Sequence, residues 1–183
     1  PLVLLCPPAI GLSPLLDPND FDTAILFGDA TSASVLYGEA HIERSKARLH
    51  RPDLAAKSEN GTTLSVPLMN TGYIQMQGRK VFSEAVRSMI ASLTRVCQRD
   101  ELRVDDLNLI VPHQANGRII DAIQNRLGTP VYSNIRNYGN TSSTSIPLCL
   151  SDVLPKASPG DHVGLCAFGG GFTFGAGILE INS

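Results

Sequence analysis

The stretch Leu107-Asn-Leu-Ile-Val111-Pro-His113 decides the fold, because an apolar strand leads directly into a polar side chain. Such a strand is buried on both faces when it lies in a parallel sheet. A helix follows from Gly117 to Leu127, where apolar residues recur at helical spacing and Gly128 is placed to cap the C-terminus. A buried strand followed at once by a helix indicates an α/β protein.

The rest of the chain predicts further helices and strands. Apolar residues recur at three- and four-residue steps from Arg79 to about Arg99, which predicts a long amphipathic helix. Another helix is predicted from Thr141 or Ser142 to about Leu154. Val163–Ala167 and Phe172–Ile181 are strands joined by so short a glycine turn that they must be antiparallel neighbours. Weaker strands are predicted in residues 38–66, with a turn at Asn60-Gly61. We therefore predict an α/β fold with a mixed five-stranded sheet packed with helices, ending in an antiparallel hairpin.

Composition and charge exclude several classes of protein. The chain has 183 residues, of which 43% are apolar, and its formal net charge is −2 without a run of like charges. This balance predicts no binding of nucleic acid or of an anionic membrane. No apolar segment approaches the ~20 residues of a membrane helix, and no signal-peptide pattern begins the chain. We expect a soluble, cytoplasmic protein. Because the chain starts at Pro1 inside an apolar run, we expect a fragment of a longer one.

The four cysteines, Cys6, Cys97, Cys149 and Cys166, are scattered singly along the chain. Since there is no C-x-x-C pair, neither a zinc site nor a disulfide framework is indicated, and we predict no bound metal. Each cysteine lies in an apolar or helical context, where a free thiol behaves as a small hydrophobic group. We predict buried structural thiols rather than catalytic ones.

Two polar side chains could meet around one carbonyl oxygen. His113 lies between a strand and a helix, where open α/β sheets expose their working groups, although it could simply cap the helix or bond a backbone carbonyl. Asn140, in Asn137-Tyr-Gly-Asn140, also precedes a helix and could be only its N-cap. Neighbouring parallel strands would bring these two corners together. Two neutral donors there would stabilise negative charge that develops on a thioester oxygen.

The run Gly169-Gly170-Gly171 has a structural and a functional interpretation. A tight hairpin often needs glycine at positive φ. Three consecutive glycines exceed that need and let a substrate approach the main chain, so a backbone N–H here is a candidate oxyanion donor. No lysine or helix start follows, as phosphate-binding loops require.

Three arginines are candidates for an anion-binding surface. Arg118 and Arg126 lie eight residues apart on one predicted helix, and Arg79 begins the long helix next to Gly78. They form either an ordinary solvated surface or an anion-docking rim beside the pocket.

Taken in order, these motifs resemble a known family. Val111-Pro-His-Gln-Ala-Asn116-Gly-Arg118, Asn137-Tyr-Gly-Asn140-Thr-Ser and Ala167-Phe-Gly-Gly-Gly-Phe-Thr-Phe-Gly175 resemble the C-terminal half of β-ketoacyl-acyl-carrier-protein synthase III. Phe27-Gly-Asp29-Ala resembles its FGDGA segment, and Met76-Gln-Gly78-Arg79-Lys-Val-Phe82 resembles its pantetheine-contacting helix start. The likeness spans about residues 20 to 180. It implies a thiolase-like fold of two stacked α/β halves, assembled as a homodimer. Residues 20–183 would be the C-terminal domain, and residues 1–19 would be the end of the preceding half and a linker.

The resemblance also implies a reaction. In this family a cysteine of the first half takes an acyl group from acyl-CoA, and malonyl-acyl-carrier protein then loses carbon dioxide and attacks that acyl group. Fatty-acid or polyketide synthesis begins in this way, without a permanently bound cofactor. By motif match, His113 and Asn140 would bind the malonyl thioester oxygen, and Gly170 would supply a backbone N–H of the other oxyanion hole. The pantetheine tunnel would be lined by Gly78, Arg79, Phe82, Ala115 and Asn116. Arg118 and Arg126 would meet the acidic carrier protein.

The chain departs from the family pattern in three respects. The nucleophilic cysteine should lie upstream of Pro1, so this chain alone should not condense anything. Gly28-Asp29-Ala-Thr31 lacks the family's second glycine, and Arg79 stands where some relatives carry asparagine. These departures leave open an acyltransferase on the same fold, which would transfer the acyl group without decarboxylation, and a non-catalytic partner subunit that binds thioester or carrier protein. The presence of both His113 and Asn140 argues against the latter.

Overall fold

The computed structural model describes residues 2–6, 13–65 and 72–182. Its strands are β1 (Leu2–Cys6), β2 (Ser32–Leu36), β3 (Ala47–Leu49), β4 (Asp53–Ala56), β5 (Leu64–Ser65), β6 (Gln75–Met76), β7 (Leu109–Pro112), β8 (His162–Gly169) and β9 (Thr173–Ile181). Its α-helices are α1 (Phe21–Ala24), α2 (Gly78–Arg99), α3 (Gly117–Leu127), α4 (Ile135–Tyr138) and α5 (Ser145–Val153). Short 3-10 helices lie at Ser13–Leu15, Glu39–Arg44, Ser58–Thr63, Val104–Asp106 and Ser142–Thr144. None of the helices in these ranges is long and apolar enough to cross a membrane.

A five-stranded mixed sheet organises the chain. Its order is β3-β9-β8-β7, and β4 pairs with β9 beside β3. β7 runs parallel to β8, with Pro112 opposite Cys166, whereas β8 and β9 form an antiparallel hairpin. The predicted mixed sheet with a terminal hairpin is therefore confirmed. β1 with β2 and β5 with β6 form separate two-stranded sheets.

The two faces of the sheet are covered by different helices. Ile110 on β7 packs in a core cluster with residues of α2 and α3, and its neighbour Val111 packs in a second cluster with Cys149 of α5. Successive side chains of a strand point to opposite faces, so this alternation separates the two clusters. The result is three layers, with α2 and α3 on one face and α5 on the other.

The helix ends follow from local sequence. Asn116 caps α3, because its Oδ1 accepts the Ile119 N–H at 3.0 Å. Gly128 ends the same helix in the left-handed region at φ 74°, as predicted. α2 covers the predicted span from its first residue, Gly78, to Arg99.

Two local predictions need correction. Asn60-Gly61 does not form a hairpin turn, because it lies inside the 3-10 helix Ser58–Thr63. The helix predicted from residue 141 or 142 begins as the 3-10 turn Ser142–Thr144 and becomes α-helical at Ser145. Pro147 then falls in the first turn of α5, where no N–H partner is needed.

Candidate active site

A cavity of about 870 Å3 lies over the face of β8 and β9. Its walls are apolar for the most part, and besides His113 they are formed by Leu49, Pro52, Ile146 and residues 54–56, 142–143, 165–169 and 173–177. Among the described residues that line it, His113 carries the one titratable side chain apart from the thiol of Cys166. The cavity thus combines an apolar chamber with a single imidazole, and the glycine turn begins at its edge with Gly169.

His113 is fixed at the carboxyl end of β7. Its backbone N–H donates to the Cys166 carbonyl at 2.7 Å, which continues the parallel ladder one residue beyond the strand. Its Nδ1 lies 2.7 Å from the Ser145 Oγ. Burial lowers the pKa of His113 to about 4, because a low-dielectric surrounding disfavours the charged imidazolium. The imidazole is therefore neutral at physiological pH.

The side chains behind His113 were not identified from the sequence. Ser145 is 1% exposed, and its Oγ also accepts the Gln114 N–H at 3.3 Å. Gln114 is completely buried, and its side chain joins two loops. Its Nε2 donates to the Pro112 carbonyl at 2.8 Å, and its Oε1 accepts the Asn134 N–H at 3.1 Å. The segment that carries His113 is thus tied to the segment that leads to Asn140.

Asn140 does not lie at a strand-to-helix corner. It follows the short helix α4 and forms one isolated parallel bridge with Phe27. Its N–H donates to the Leu26 carbonyl at 2.7 Å, and its carbonyl accepts the Gly28 N–H at 3.0 Å. The expectation that two neighbouring strands of the sheet place His113 and Asn140 is therefore wrong, although one continuous segment, residues 140–145, connects Asn140 to the Ser145 that holds His113.

Only the oxygen of the Asn140 carboxamide is hydrogen-bonded to another described residue. Its Oδ1 accepts the Ser142 N–H at 2.9 Å, so the orientation of the amide is fixed by this bond. Its Nδ2 donates to no side chain or carbonyl in the described ranges. Asn140 does not line the cavity itself, whereas Ser142 does.

Gly28 explains the close contact beneath Asn140. A Cβ added at Gly28 would lie 1.9 Å from the Tyr138 carbonyl oxygen. No real side chain tolerates that distance, so glycine is required where residues 26–28 pass under the Asn140 loop. Close packing against the Tyr138 carbonyl therefore explains the glycine of the Phe27-Gly-Asp29-Ala motif.

The glycine turn connects β8 to β9. Gly171 adopts φ 123°, a conformation that glycine alone adopts readily. The Gly170 carbonyl accepts the Thr173 N–H at 3.1 Å and the Thr173 Oγ1 at 2.9 Å. Within the described ranges the Gly170 N–H donates to no backbone carbonyl. It is therefore available to a ligand.

Residue 57 braces this turn against α2. The Lys57 N–H donates to the Phe172 carbonyl at 2.8 Å, and the Phe172 N–H donates back to the Lys57 carbonyl at 3.0 Å. The Lys57 ammonium forms an ion pair with the buried Glu84, which also binds Arg87 and Ser88. The hydrogen bond from Lys57 holds the pKa of Glu84 below its usual value despite burial.

The other predicted binding residues lie outside the His113 cavity. Gly78 and Arg79 are exposed in the first turn of α2, and Phe82 packs against the main core. Ala115 is half-buried, and its N–H donates to the His113 carbonyl at 2.9 Å. Asn116 is the N-cap described above. The residues of the predicted pantetheine set thus lie at the start of α2 and just before the start of α3.

Arg118 and Arg126 are exposed on α3. Neither forms an ion pair with a residue in the described ranges. Their exposure is compatible with either the solvated surface or the anion-docking rim expected from the sequence.

The described cysteines are free and buried. Burial raises the pKa of the Cys97 thiol to about 11 and the pKa values of Cys149 and Cys166 to about 12. The prediction of buried thiols is confirmed for these three, and the Cys6 side chain lies outside what the structure describes. No cluster of histidine, cysteine and carboxylate side chains suited to a metal ion occurs in the described ranges.

Comparison with known proteins places this geometry in context. Residues 97–181 match the family model for the 3-oxoacyl-[acyl-carrier-protein] synthase III C-terminal region. The chain is 40% identical over 179 residues to β-ketoacyl-[acyl-carrier-protein] synthase III of Nitratidesulfovibrio vulgaris, which covers 88% of this chain and 53% of that protein. The Aquifex aeolicus enzyme of the same name is 36% identical over 174 residues, covering 92% of this chain and 54% of its own length.

Comparison with solved structures points to the same family as the sequence comparisons. The 3-oxoacyl-(acyl carrier protein) synthase III of Pseudomonas aeruginosa superposes with a TM-score of 0.84 at 37% identity, over 94% of this chain and 56% of that one. The Aquifex aeolicus structure gives a TM-score of 0.82 at 36% identity, over 92% and 55% of the two chains. The chain spans about half the length of the relatives it matches.

Proposed function

Because the chain belongs to the β-ketoacyl-[acyl-carrier-protein] synthase III family and has the thiolase-like fold of its C-terminal half, we propose that it carries the decarboxylation site of a condensing enzyme. The observation that carries this proposal is His113. A neutral imidazole, held from behind by Ser145, lines an apolar cavity of about 870 Å3. A neutral hydrogen-bond donor on an apolar wall is suited to an oxygen that gains negative charge during reaction.

The proposed reaction is the loss of carbon dioxide from a malonyl thioester. The bond between the carboxylate carbon and the α-carbon breaks, and its electron pair delocalises onto the thioester oxygen as an enolate. The His113 Nε2–H donates to that oxygen, and by its match to the family motif the Asn140 Nδ2–H is the second donor. The Asn140 Nδ2 has no acceptor among the described residues, so it is not committed to another bond there. The enolate carbon then attacks the carbonyl carbon of an acyl-cysteine as the thioester oxygen re-forms its carbonyl. The tetrahedral intermediate collapses, its carbon-sulfur bond breaks, and the cysteine leaves as the thiolate.

The glycine turn serves the second half of the reaction in this proposal. The Gly170 N–H is a free donor beside the cavity edge, and it would stabilise the oxygen of the acyl-cysteine as that carbon becomes tetrahedral. The brace from Lys57 and Glu84 keeps this donor in place. A preorganised donor costs no reorganisation when the charge develops.

The remaining residues are assigned to binding. Gly78, Arg79, Phe82, Ala115 and Asn116 line the path of the phosphopantetheine arm that carries the malonyl group. Arg118 and Arg126 dock the acidic carrier protein, because both guanidinium groups are exposed on the same helix. The substrates are acyl-CoA and malonyl-acyl-carrier protein, with no permanently bound cofactor.

The nucleophile is assigned to another part of the protein. The three described thiols have pKa values raised to between about 11 and 12, so none supplies a thiolate near neutral pH. We propose that residues 20–183 are the C-terminal domain of a cytoplasmic homodimer and that the first half of the full-length protein provides the reactive cysteine. On this proposal the chain alone does not condense.

Carbon dioxide release from malonyl-CoA tests the proposal in the full-length protein. We expect His113→Ala and Asn140→Ala each to lower the rate by about two to three orders of magnitude, as loss of one oxyanion donor does. The exposed His41→Ala and Asn125→Ala serve as matched controls and keep the wild-type rate. Near-normal rates in both site variants would refute the decarboxylation site. Acyl transfer to an alcohol or amine without carbon dioxide release would identify the acyltransferase instead.

A further inference from the structure

The hydroxyl of Ser145 lies at the centre of a closed hydrogen-bond arrangement. It is 2.7 Å from the His113 Nδ1 and 3.3 Å from the Gln114 N–H. Ser145 is the first residue of α5, whereas His113 follows β7, so the contact joins two elements that are 32 residues apart. At 1% exposure, water does not reach Ser145 as an alternative partner.

The two contacts determine where the hydroxyl proton points. The Gln114 N–H is a donor, so it occupies a lone pair of Oγ and cannot accept the Ser145 proton. The His113 Nδ1 is then the one acceptor for that proton in the described ranges. A buried hydroxyl without an acceptor costs about 1–3 kcal/mol, which strongly favours the arrangement in which Ser145 donates to Nδ1.

A neutral imidazole carries one proton, so a lone pair on Nδ1 requires the proton on Nε2. The opposite tautomer would place Nδ1–H against Oγ, leave the Ser145 proton without an acceptor and turn a lone pair of Nε2 toward the cavity. A lone pair cannot stabilise an enolate oxygen. The direction of one serine proton therefore decides whether His113 is a donor or an acceptor toward a ligand.

We propose that Ser145 is a positioning residue whose hydroxyl donates to His113 Nδ1 and holds the ring proton on Nε2, directed at the thioester oxygen. Ser145 does not touch the substrate and acts only through the imidazole. The value of this arrangement for catalysis rests on the proposed function, whereas the tautomer itself does not.

The tautomer is tested by 15N chemical shifts of the histidine rings in the full-length protein labelled with [15N]histidine. A His113→Gln variant identifies which of the histidine signals belongs to His113. We expect wild type to show a protonated Nε2 and an unprotonated Nδ1, and Ser145→Ala to show the other tautomer or an exchanging mixture. A protonated Nδ1 in wild type, or unchanged ring shifts in Ser145→Ala, would overturn the proposal.

Kinetics test the consequence. For malonyl-CoA decarboxylation we expect Ser145→Ala to lower kcat about tenfold with little change in KM, since the loss of one orienting hydrogen bond acts on the transition state. Ser145→Thr keeps a hydroxyl and restores most of the rate. Ser151→Ala is the matched control, because Ser151 is an exposed serine on the same helix that bonds only the Leu148 carbonyl. A wild-type kcat in Ser145→Ala would refute the positioning role.

The two proposals fail in different ways. If wild type shows the expected tautomer but releases no carbon dioxide, the proposed function fails and the Ser145 assignment stands. If wild type is active and its His113 ring is protonated on Nδ1, the Ser145 assignment fails alone. If Ser145→Ala does not fold, the wild-type shifts and the Ser145→Thr rate still decide.

Discussion

Replacing Gln114 by leucine should destabilise the protein more than its size suggests. Gln114 is 0% exposed and lies between the His113 segment and the Asn140 loop. Leucine fills a similar volume but removes the bond to the Pro112 carbonyl at 2.8 Å and leaves the buried Asn134 N–H, now bonded at 3.1 Å, without an acceptor.

The expected magnitude follows from these two bonds. An orphaned buried N–H costs about 1–3 kcal/mol, and a lost hydrogen bond costs about 1 kcal/mol more. The longer bonds, to the Tyr132 carbonyl at 3.4 Å and from the Ser133 hydroxyl at 3.2 Å, add little, because Ser133 is exposed and can bond water. We expect the free energy of unfolding to fall by about 2–4 kcal/mol.

Urea denaturation of the full-length protein measures this change. Gln98→Leu is the matched control, since Gln98 is exposed on α2 and its replacement should change stability by less than about 0.5 kcal/mol. A Gln114→Leu protein within that margin of wild type would show that the Gln114 bonds do not join the two segments.

Three further outcomes are expected. Gly28→Ala should lower the rate of malonyl decarboxylation about 100-fold, because the added methyl group displaces the Asn140 loop on the scale of an ångström. Gly38→Ala is the control and should keep the wild-type rate, because the space around its Cβ is open. Equal rates in the two variants would refute the packing argument. His113, with its pKa lowered to about 4, takes up a proton only on unfolding between about pH 6.5 and pH 4, so wild type should lose more stability over that range than His113→Gln. Parallel losses in denaturation at pH 7 and pH 5 would contradict this. Glu84→Gln should lower the free energy of unfolding by about 1–2 kcal/mol at pH 7. This difference from wild type should shrink as the pH falls through the lowered pKa of Glu84, because the wild-type carboxylate then also becomes neutral. A difference in stability that does not depend on pH would exclude the ion pair as its cause.

Features that depend on neighbouring residues could be predicted from the sequence. The span of α3 follows from its apolar spacing, with Asn116 before it and Gly128 after it, and the hairpin follows from the short glycine turn. The position of His113 beyond β7 was predicted for the same reason: Pro112 and the apolar strand before it determine where the chain leaves the sheet.

Features that depend on residues far apart along the chain could not be predicted from the sequence. The bond from Ser145 to His113 spans 32 positions, and no local pattern distinguishes Ser145 from the other hydroxyls of the Ser142–Ser145 run. The placement of Asn140 depends on a bridge to Phe27, 113 positions away by their numbers, which strand-and-helix alternation does not encode. Asn60-Gly61 has hairpin chemistry, but its flanking residues form a 3-10 helix and the tertiary context prevails.

β8 has a consequence for how length can vary among relatives. Cys166 of β8 pairs with Pro112 of β7, next to His113, and Gly169 at the C-terminal end of β8 leads into the glycine turn. Because side chains alternate along it, inserting or deleting one residue within 162–169 would exchange the inward and outward faces and shift the turn by one step against the imidazole. We expect natural insertions in this family to avoid that strand and to collect in connections that pair with no strand, such as residues 37–45 between β2 and β3.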